Sequence, residues 1–204
     1  MCSSDLPIHV AVAPVASTAE RVEQSVYFAE KRFKPALLHH LLNSDQSISR
    51  VLIFTRTKHG ADRLARDLHK HRIPSEAIHG NKSQNQRQRA LDTFKRGHSR
   101  VLVATDIAAR GLDIELVSHV INYELPNIPE SYVHRIGRTG RAGESGIAIS
   151  FCSADEREFL RDIERLIGAK IPVLPLPTGL EVTERPAASP GHGNQGRSPQ
   201  SGGQ

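Results

Sequence analysis

"RVLIFTRTKHGADRLARDLHKH" (residues 50–71) joins two kinds of pattern within 22 positions. "RVLIFT" (50–55) is apolar at consecutive positions, which suits a strand buried on both faces. In "KHGADRLARDLHKH" (58–71), Ala61, Leu64, Ala65 and Leu68 fall at i, i+3, i+4 and i+7, one face of a helix. A strand that is apolar on both sides belongs in a parallel sheet covered by helices above and below.

The same alternation extends in both directions. "VEQSVYFA" (22–29) reads as a strand and "KPALLHHLL" (34–42) as a helix. "SEAIH" (75–79) is followed by helical "QNQRQRALDTFKR" (84–96), and "RVLVAT" (100–105) repeats the buried-strand pattern. "HVINY" (119–123) and "GIAISFC" (146–152) are further strands, and "DEREFLRDIERLIG" (155–168) is a closing helix ended by Gly168. The fold class expected is α/β, a three-layer doubly wound, mostly parallel sheet over residues 21–172. Residues 1–20 are expected to be a linker or flexible segment and residues 173–204 a flexible tail. In "PAASPGHGNQGRSPQSGGQ" (186–204), 14 of 19 positions are Pro, Gly, Ser or Gln, too little apolar surface to offset the entropy of ordering.

The chain of 204 residues suits one domain with tails, at 38% hydrophobic and 24% charged residues. Residues 1–20 carry −2 and residues 176–204 carry 0, so the stretch between them carries +7 of the net +5. A basic middle points to a polyanionic partner, nucleic acid first. Two cysteines, Cys2 and Cys152, imply no disulfide and a reducing compartment. No stretch has the length of a transmembrane span, and "PIHVAVAPVA" lacks the basic flank of a signal peptide.

In a doubly wound sheet, ligands sit beyond the carboxyl ends of the strands. Three stretches there carry chemistry. "ATDIAARGLD" (104–113) follows a strand and opens a short helix; Thr105 and the N-terminal N–H groups could take a phosphate oxygen, and Asp113 a sugar hydroxyl. An ordinary strand-to-helix loop capped by Thr105 and Asp106 fits the local chemistry at least as well. In "HGNKSQNQRQRAL" (79–91), Gly80 permits close backbone approach and Ser83 suits an N-cap. Gln86, Arg87 and Arg89 put polar and basic groups near a positive helix end, which a docked anion or a solvated basic face would explain. "HRIGRTGRAG" (134–143) sets Arg135, Arg138 and Arg141 at three-residue intervals with Gly137, Gly140 and Gly143 between them. A glycine-punctuated turn of guanidinium groups suits phosphate recognition.

The phosphate cradle is missing: "GNKS" (80–83) lacks the rest of G-x-x-x-x-G-K-[ST], and there is no acidic magnesium-binding box. Aromatic residues are 4% and Trp is absent, so a single strand would be held by its backbone, with weak sequence preference and strong salt dependence.

Together these stretches resemble the second, C-terminal RecA-like domain of DEAD-box RNA helicases over residues 22–170. "VLIFTRTKHGAD" is similar to motif IV of that family, "QRQR" to motif IVa, "ATDIAARGLD" to motif V and "YVHRIGRTGRAG" to motif VI. The wording of "FTRTKHGA", "AIHGNKSQ" and "HVINYELPNIPESYVHRIGRTGRAG" looks closest to the bacterial RhlE subgroup. The resemblance implies that Arg138 and Arg141 reach the γ-phosphate of ATP held by another domain, with Gly111 and Asp113 near the ATP. It implies that His134 and Arg135 couple to the DEAD box across the cleft, and that Arg56, Gly80, Gln86, Arg89 and Thr105 line an RNA backbone. Glu124 stands where many members have Asp.

The implied cofactors are ATP and Mg²⁺, both held mainly by an N-terminal DEAD domain outside this chain, and no metal site is expected in the chain itself. The chain is thus expected to be one half of a longer, monomeric, cytoplasmic bacterial enzyme and to hydrolyse no ATP alone. A stand-alone RNA-binding module and a superfamily-2 helicase half acting on DNA remain as alternatives.

Overall fold

The computed structural model describes residues 22–110, 114, 117–140 and 146–180. The expected segment 1–20 and the tail from 181 onward lie outside them.

Seven strands form one sheet: β1 Val22–Phe28, β2 Val51–Phe54, β3 Ser75–Ile78, β4 Val101–Ala104, β5 His119–Asn122, β6 Gly146–Cys152 and β7 Val173–Leu174. Their order is β3-β4-β2-β5-β6-β1-β7, and every pairing is parallel. β7 was not expected. It adds a short strand to the edge of β1, Val26 opposite Val173, just past residue 172.

The helices are α1 Lys34–Ser44, α2 Lys58–Lys70, α3 Gln84–Lys95, α4 Asp106–Ala109, α5 Pro129–Ile136 and α6 Arg157–Ile167, the last entered through a 3₁₀ turn at Ala154–Glu156. Strand alternation sorts them into two layers. Val51, Ile53, Val101, Val103, Ile121 and Phe151 point to one face, where Leu37, Leu38 and Leu42 of α1 meet Ala61, Leu64 and Leu68 of α2. Leu52, Phe54, Leu102, Ala104 and Val120 point to the other face, against α3 and α4. α5 and α6 cover Val22, Val26, Ala148 and Cys152 on that same side. The doubly wound three-layer fold is therefore present, and wholly parallel.

Local chemistry sets the helix ends. Ser83 accepts from the Gln86 N–H at 3.3 Å while Gln86 Oε1 accepts from the Ser83 N–H at 2.9 Å, a reciprocal capping box. Gly168 takes φ +71°, a left-handed end to α6 that a β-carbon would penalise. Cys152 is a buried free thiol pushed up to about 11 by burial.

Candidate functional site

Because all strands run the same way, their carboxyl ends form one rim. Arg56, Gly80 and Thr105 follow β2, β3 and β4, three neighbouring strands in the order β3-β4-β2. Strand spacing of roughly 4.8 Å spreads these three positions over about 10 Å of rim. Thr105 is the N-cap residue of α4, but its hydroxyl makes no capping bond.

Gly80 is exposed, its φ is not positive, and a β-carbon built there would meet nothing within 4 Å. Nothing in the fold itself requires glycine at this position. His79, buried beside it, places Nε2 2.9 Å from Asp62 Oδ2, and Lys82 Nζ lies 3.0 Å from the other oxygen of that carboxylate. Burial alone would raise Asp62, yet His79 and Lys82 hold it below the ordinary carboxylate value. Asp62 on α2 thereby anchors both flanks of the loop that presents Gly80.

The residues on α3 divide. Arg89 is exposed in the second turn of α3. Gln86 is exposed too, but its Oε1 is committed to the capping box. Arg87 is not part of a purely solvated face: its Nη2 donates to the Ala108 carbonyl at the end of α4, 3.2 Å away.

The largest departure from expectation is in "HRIGRTGRAG". Its first three residues end a helix, α5, which begins with Pro129 and packs Tyr132, Val133 and Ile136 into the core. His134 is exposed on that helix, whereas Arg135 is 1% exposed, the largest fully buried side chain among the described residues. Its Nε and Nη2 donate to Oδ1 and Oδ2 of Asp106 at 2.6 and 2.8 Å. Its Nη1 donates to Asn122 Oδ1 at 3.1 Å and to the Glu124 carbonyl at 2.7 Å. The Phe54 ring lies 5.0 Å beneath the guanidinium. Within the domain Arg135 ties α5 to the ends of β2, β4 and β5, a role the motif reading did not include. Asp106, weighed in the sequence as a cap, is instead a bidentate acceptor.

Beyond α5, Thr139 Oγ1 donates to the Val117 carbonyl at 2.8 Å and Gly140 takes φ +67°. A β-carbon at Gly146 would collide with the Gly140 backbone, so this turn packs directly on the start of β6. Gly137 keeps an ordinary negative φ. The half-buried Arg138 follows, sharing a shallow depression with Phe54, Asp106, Arg110, Ser131 and His134. Gly111, Asp113 and Arg141, together with Gly143, lie outside the described residues.

A second buried network, which no local sequence pattern announced, sits at the same rim. Lys34 Nζ reaches Glu156 Oε2 at 2.5 Å and the carbonyls of Tyr123 and Phe151 at 2.9 and 3.2 Å. Glu156 also accepts from the N–H groups of Leu125 and Ser153 and from the Ser153 hydroxyl. Arg56 folds toward it: its Nη2 is 3.7 Å from Glu156 Oε1, its ring neighbour is Phe159, and its own N–H donates to Glu124 Oε2 at 2.7 Å.

Comparison with known proteins identifies the domain. Residues 33–143 match the family described as helicase conserved C-terminal domain. The chain is 44% identical to the ATP-dependent RNA helicase DbpA of Bacillus subtilis (strain 168) over 179 residues, 88% of this chain and 37% of that protein. It therefore spans a little over a third of that relative's length. Among solved structures, the E. coli DEAD-box protein SrmB, bound to regulator of ribonuclease activity A, superposes with a TM-score of 0.74 at 36% identity, covering 82% of this chain and 98% of that one. The S. cerevisiae Dbp5 bound to RNA and ADP BeF3 superposes with a TM-score of 0.68 at 33% identity, covering 76% of this chain and 42% of that one.

Proposed function

Since the chain belongs to the helicase conserved C-terminal domains, as the C-terminal domain of a DEAD-box RNA helicase, we propose that it is the arginine-bearing half of an ATP-dependent enzyme that separates short RNA duplexes locally. The observation that carries this reading is the placing of Gly80, Thr105 and Arg56 on three adjacent strand ends. Beside them, a buried Arg135 fixes the helix that leads into Arg138. An RNA backbone laid along the rim meets an open glycine, the nearly buried Thr105 and basic side chains, and Arg89 in the second turn of α3 adds charge.

Bound ATP supplies the phosphoanhydride whose hydrolysis drives the cycle, with Mg²⁺ neutralising its phosphates. The residues of this chain fit an edge contact to that nucleotide and not its cradle: the half-buried Arg138 stands by a shallow depression, while the sequence has no P-loop. Arg138, and Arg141 three residues on, act as donors to phosphate oxygens held by an N-terminal DEAD domain, and His134 on the exposed face of α5 meets that domain. Gly111 and Asp113 complete the contact to the nucleotide. Closing of the two halves brings the arginines into place and bends one RNA strand at the rim, which releases its complement; reopening follows hydrolysis. The wording of the motif VI region favours a member similar to RhlE.

The test is ATP hydrolysis by the chain alone and joined to a DEAD-type N-terminal domain, with and without single-stranded RNA. The expected result is no turnover alone and RNA-stimulated turnover when joined. Turnover by the chain alone, or none when joined despite RNA binding, overturns the reading.

A further inference from the structure

On one face of the sheet α1 and α2 lie side by side, sharing the core of Leu37, Leu38, Leu42, Leu64 and Leu68. Across that helix pair, His39, Asp67 and His71 converge. One ligand atom from each lies within 4.8 Å of the others. His39 Nε2 is 2.8 Å from Asp67 Oδ2, and the two imidazole rings meet edge to face with centroids 4.0 Å apart. We propose that His39, Asp67 and His71 form a binding site for a divalent transition-metal ion such as Zn²⁺, which staples α1 to α2.

The donor set decides the class of ion. Two imidazoles and one carboxylate suit borderline ions such as Zn²⁺ and Co²⁺, whereas Mg²⁺ takes oxygen ligands. Three protein ligands leave a fourth position for water. The support for one ligand is already built. His71 Nδ1 is 2.8 Å from the Asp67 backbone carbonyl. A carbonyl can only accept, so Nδ1 carries the proton and Nε2 keeps its lone pair. A metal-bound histidine is held in this way, by a hydrogen bond from its other nitrogen.

The arrangement also leaves room for adjustment. Asp67 and His71 are one helical turn apart, and His71 caps the exposed end of α2. A tetrahedral ion with bonds of about 2.0–2.1 Å needs ligand atoms roughly 3.3 Å apart. The exposed His71 ring is held by the Asp67 carbonyl and the His39 ring and not by core packing, so small side-chain shifts close the remaining gap while the Nδ1 bond is kept. Ligation at His39 Nε2 displaces the proton shared with Asp67, which moves to Nδ1 of the same neutral ring. The Asp67 carboxylate offsets one of the ion's two positive charges, and water at the exposed His71 end solvates the rest.

The test uses the whole chain, untagged and chelator-treated, with Zn²⁺ followed by calorimetry and by thermal unfolding, and Co²⁺ by its visible absorption. One ion per chain, a raised unfolding midpoint and an intense Co²⁺ band are expected. His71→Ala and Asp67→Asn should each weaken uptake by about tenfold or more, comparable with losses at other metal-site positions. Their metal-free midpoints report that the fold is intact. Failure to take up one ion per chain, or uptake equally strong in both variants, overturns the proposal.

Discussion

Arg135 and Asp106 are 29 residues apart in the chain, yet two hydrogen bonds of 2.6 and 2.8 Å join the guanidinium to both oxygens of the carboxylate. Removing the cation leaves Asp106, Asn122 and the Glu124 carbonyl without their donor. Asp106 is partly solvated, with its side chain 31% exposed, so Arg135→Ala should cost about 3 kcal/mol, the lower end for breaking a buried pair. Arg135→Lys keeps the charge but not the fork, and should cost about 2 kcal/mol. Denaturant unfolding measures both, and a lysine variant as stable as the parent would show that the bidentate geometry contributes little.

Lys34 and Glu156 are both buried, so truncating either one strands a charge. Lys34→Met should cost about 3–5 kcal/mol. Combining it with Glu156→Gln should recover roughly half of that, because the coupling is lost once rather than twice. Unfolding of the two single variants and the double variant provides the cycle; strictly additive losses would rule out the coupling.

His119, buried at the start of β5, gives the domain a pH dependence. Burial lowers its pKa below the ordinary 6.5, against the opposing pull of Asp45 and Glu23. The unfolded chain therefore binds the proton first, and stability should fall as pH drops below about 6.5 while staying level above about 7. His119→Leu removes the ring whose Nδ1 has no partner and should flatten that slope. Thermal midpoints between pH 7.5 and 5 decide it.

Gly80→Ala separates folding from binding. With no atom within 4 Å of the new methyl group, stability should change by no more than about 0.5 kcal/mol. RNA affinity of the chain joined to its DEAD half should fall several-fold, measured by fluorescence anisotropy. Unchanged affinity would remove Gly80 from the proposed RNA path.

Arg138→Ala, made in the joined helicase, should reduce hydrolysis by about 10³-fold or more while ATP still binds. A steady-state ATPase assay beside nucleotide binding reads this directly, and retained turnover would sink the finger assignment.

The sheet was legible because its central strands β2 and β4 are apolar on both sides and several helices begin or end on recognisable residues: Ser83 as a cap, Gly168 as a stop. α5 was hidden by its own composition. His134 and Arg135 suggest solvent, and the buried side of that helix, Tyr132, Val133 and Ile136, is only eight residues long in total with its polar face. What makes Arg135 a core residue is Asp106 and Asn122, brought to it by neighbouring strands. Lys34 and Glu156 are 122 positions apart, a distance over which no periodicity carries information. The dual duties of Arg87 and Gln86 likewise depend on where α4 and the Ser83 cap lie in space.

β7 also has a protective effect at the edge of the sheet. It pairs through Val173 and Leu174 alone, with Pro172 before it and Pro175 and Pro177 after. A proline has no N–H to offer, so a strand arriving from another molecule would find the row of donors broken on either side of a two-residue gap. The exposed Val173 and Leu174 side chains thus sit on an edge poorly suited to growing further, a guard against edge-to-edge pairing of sheets from two molecules.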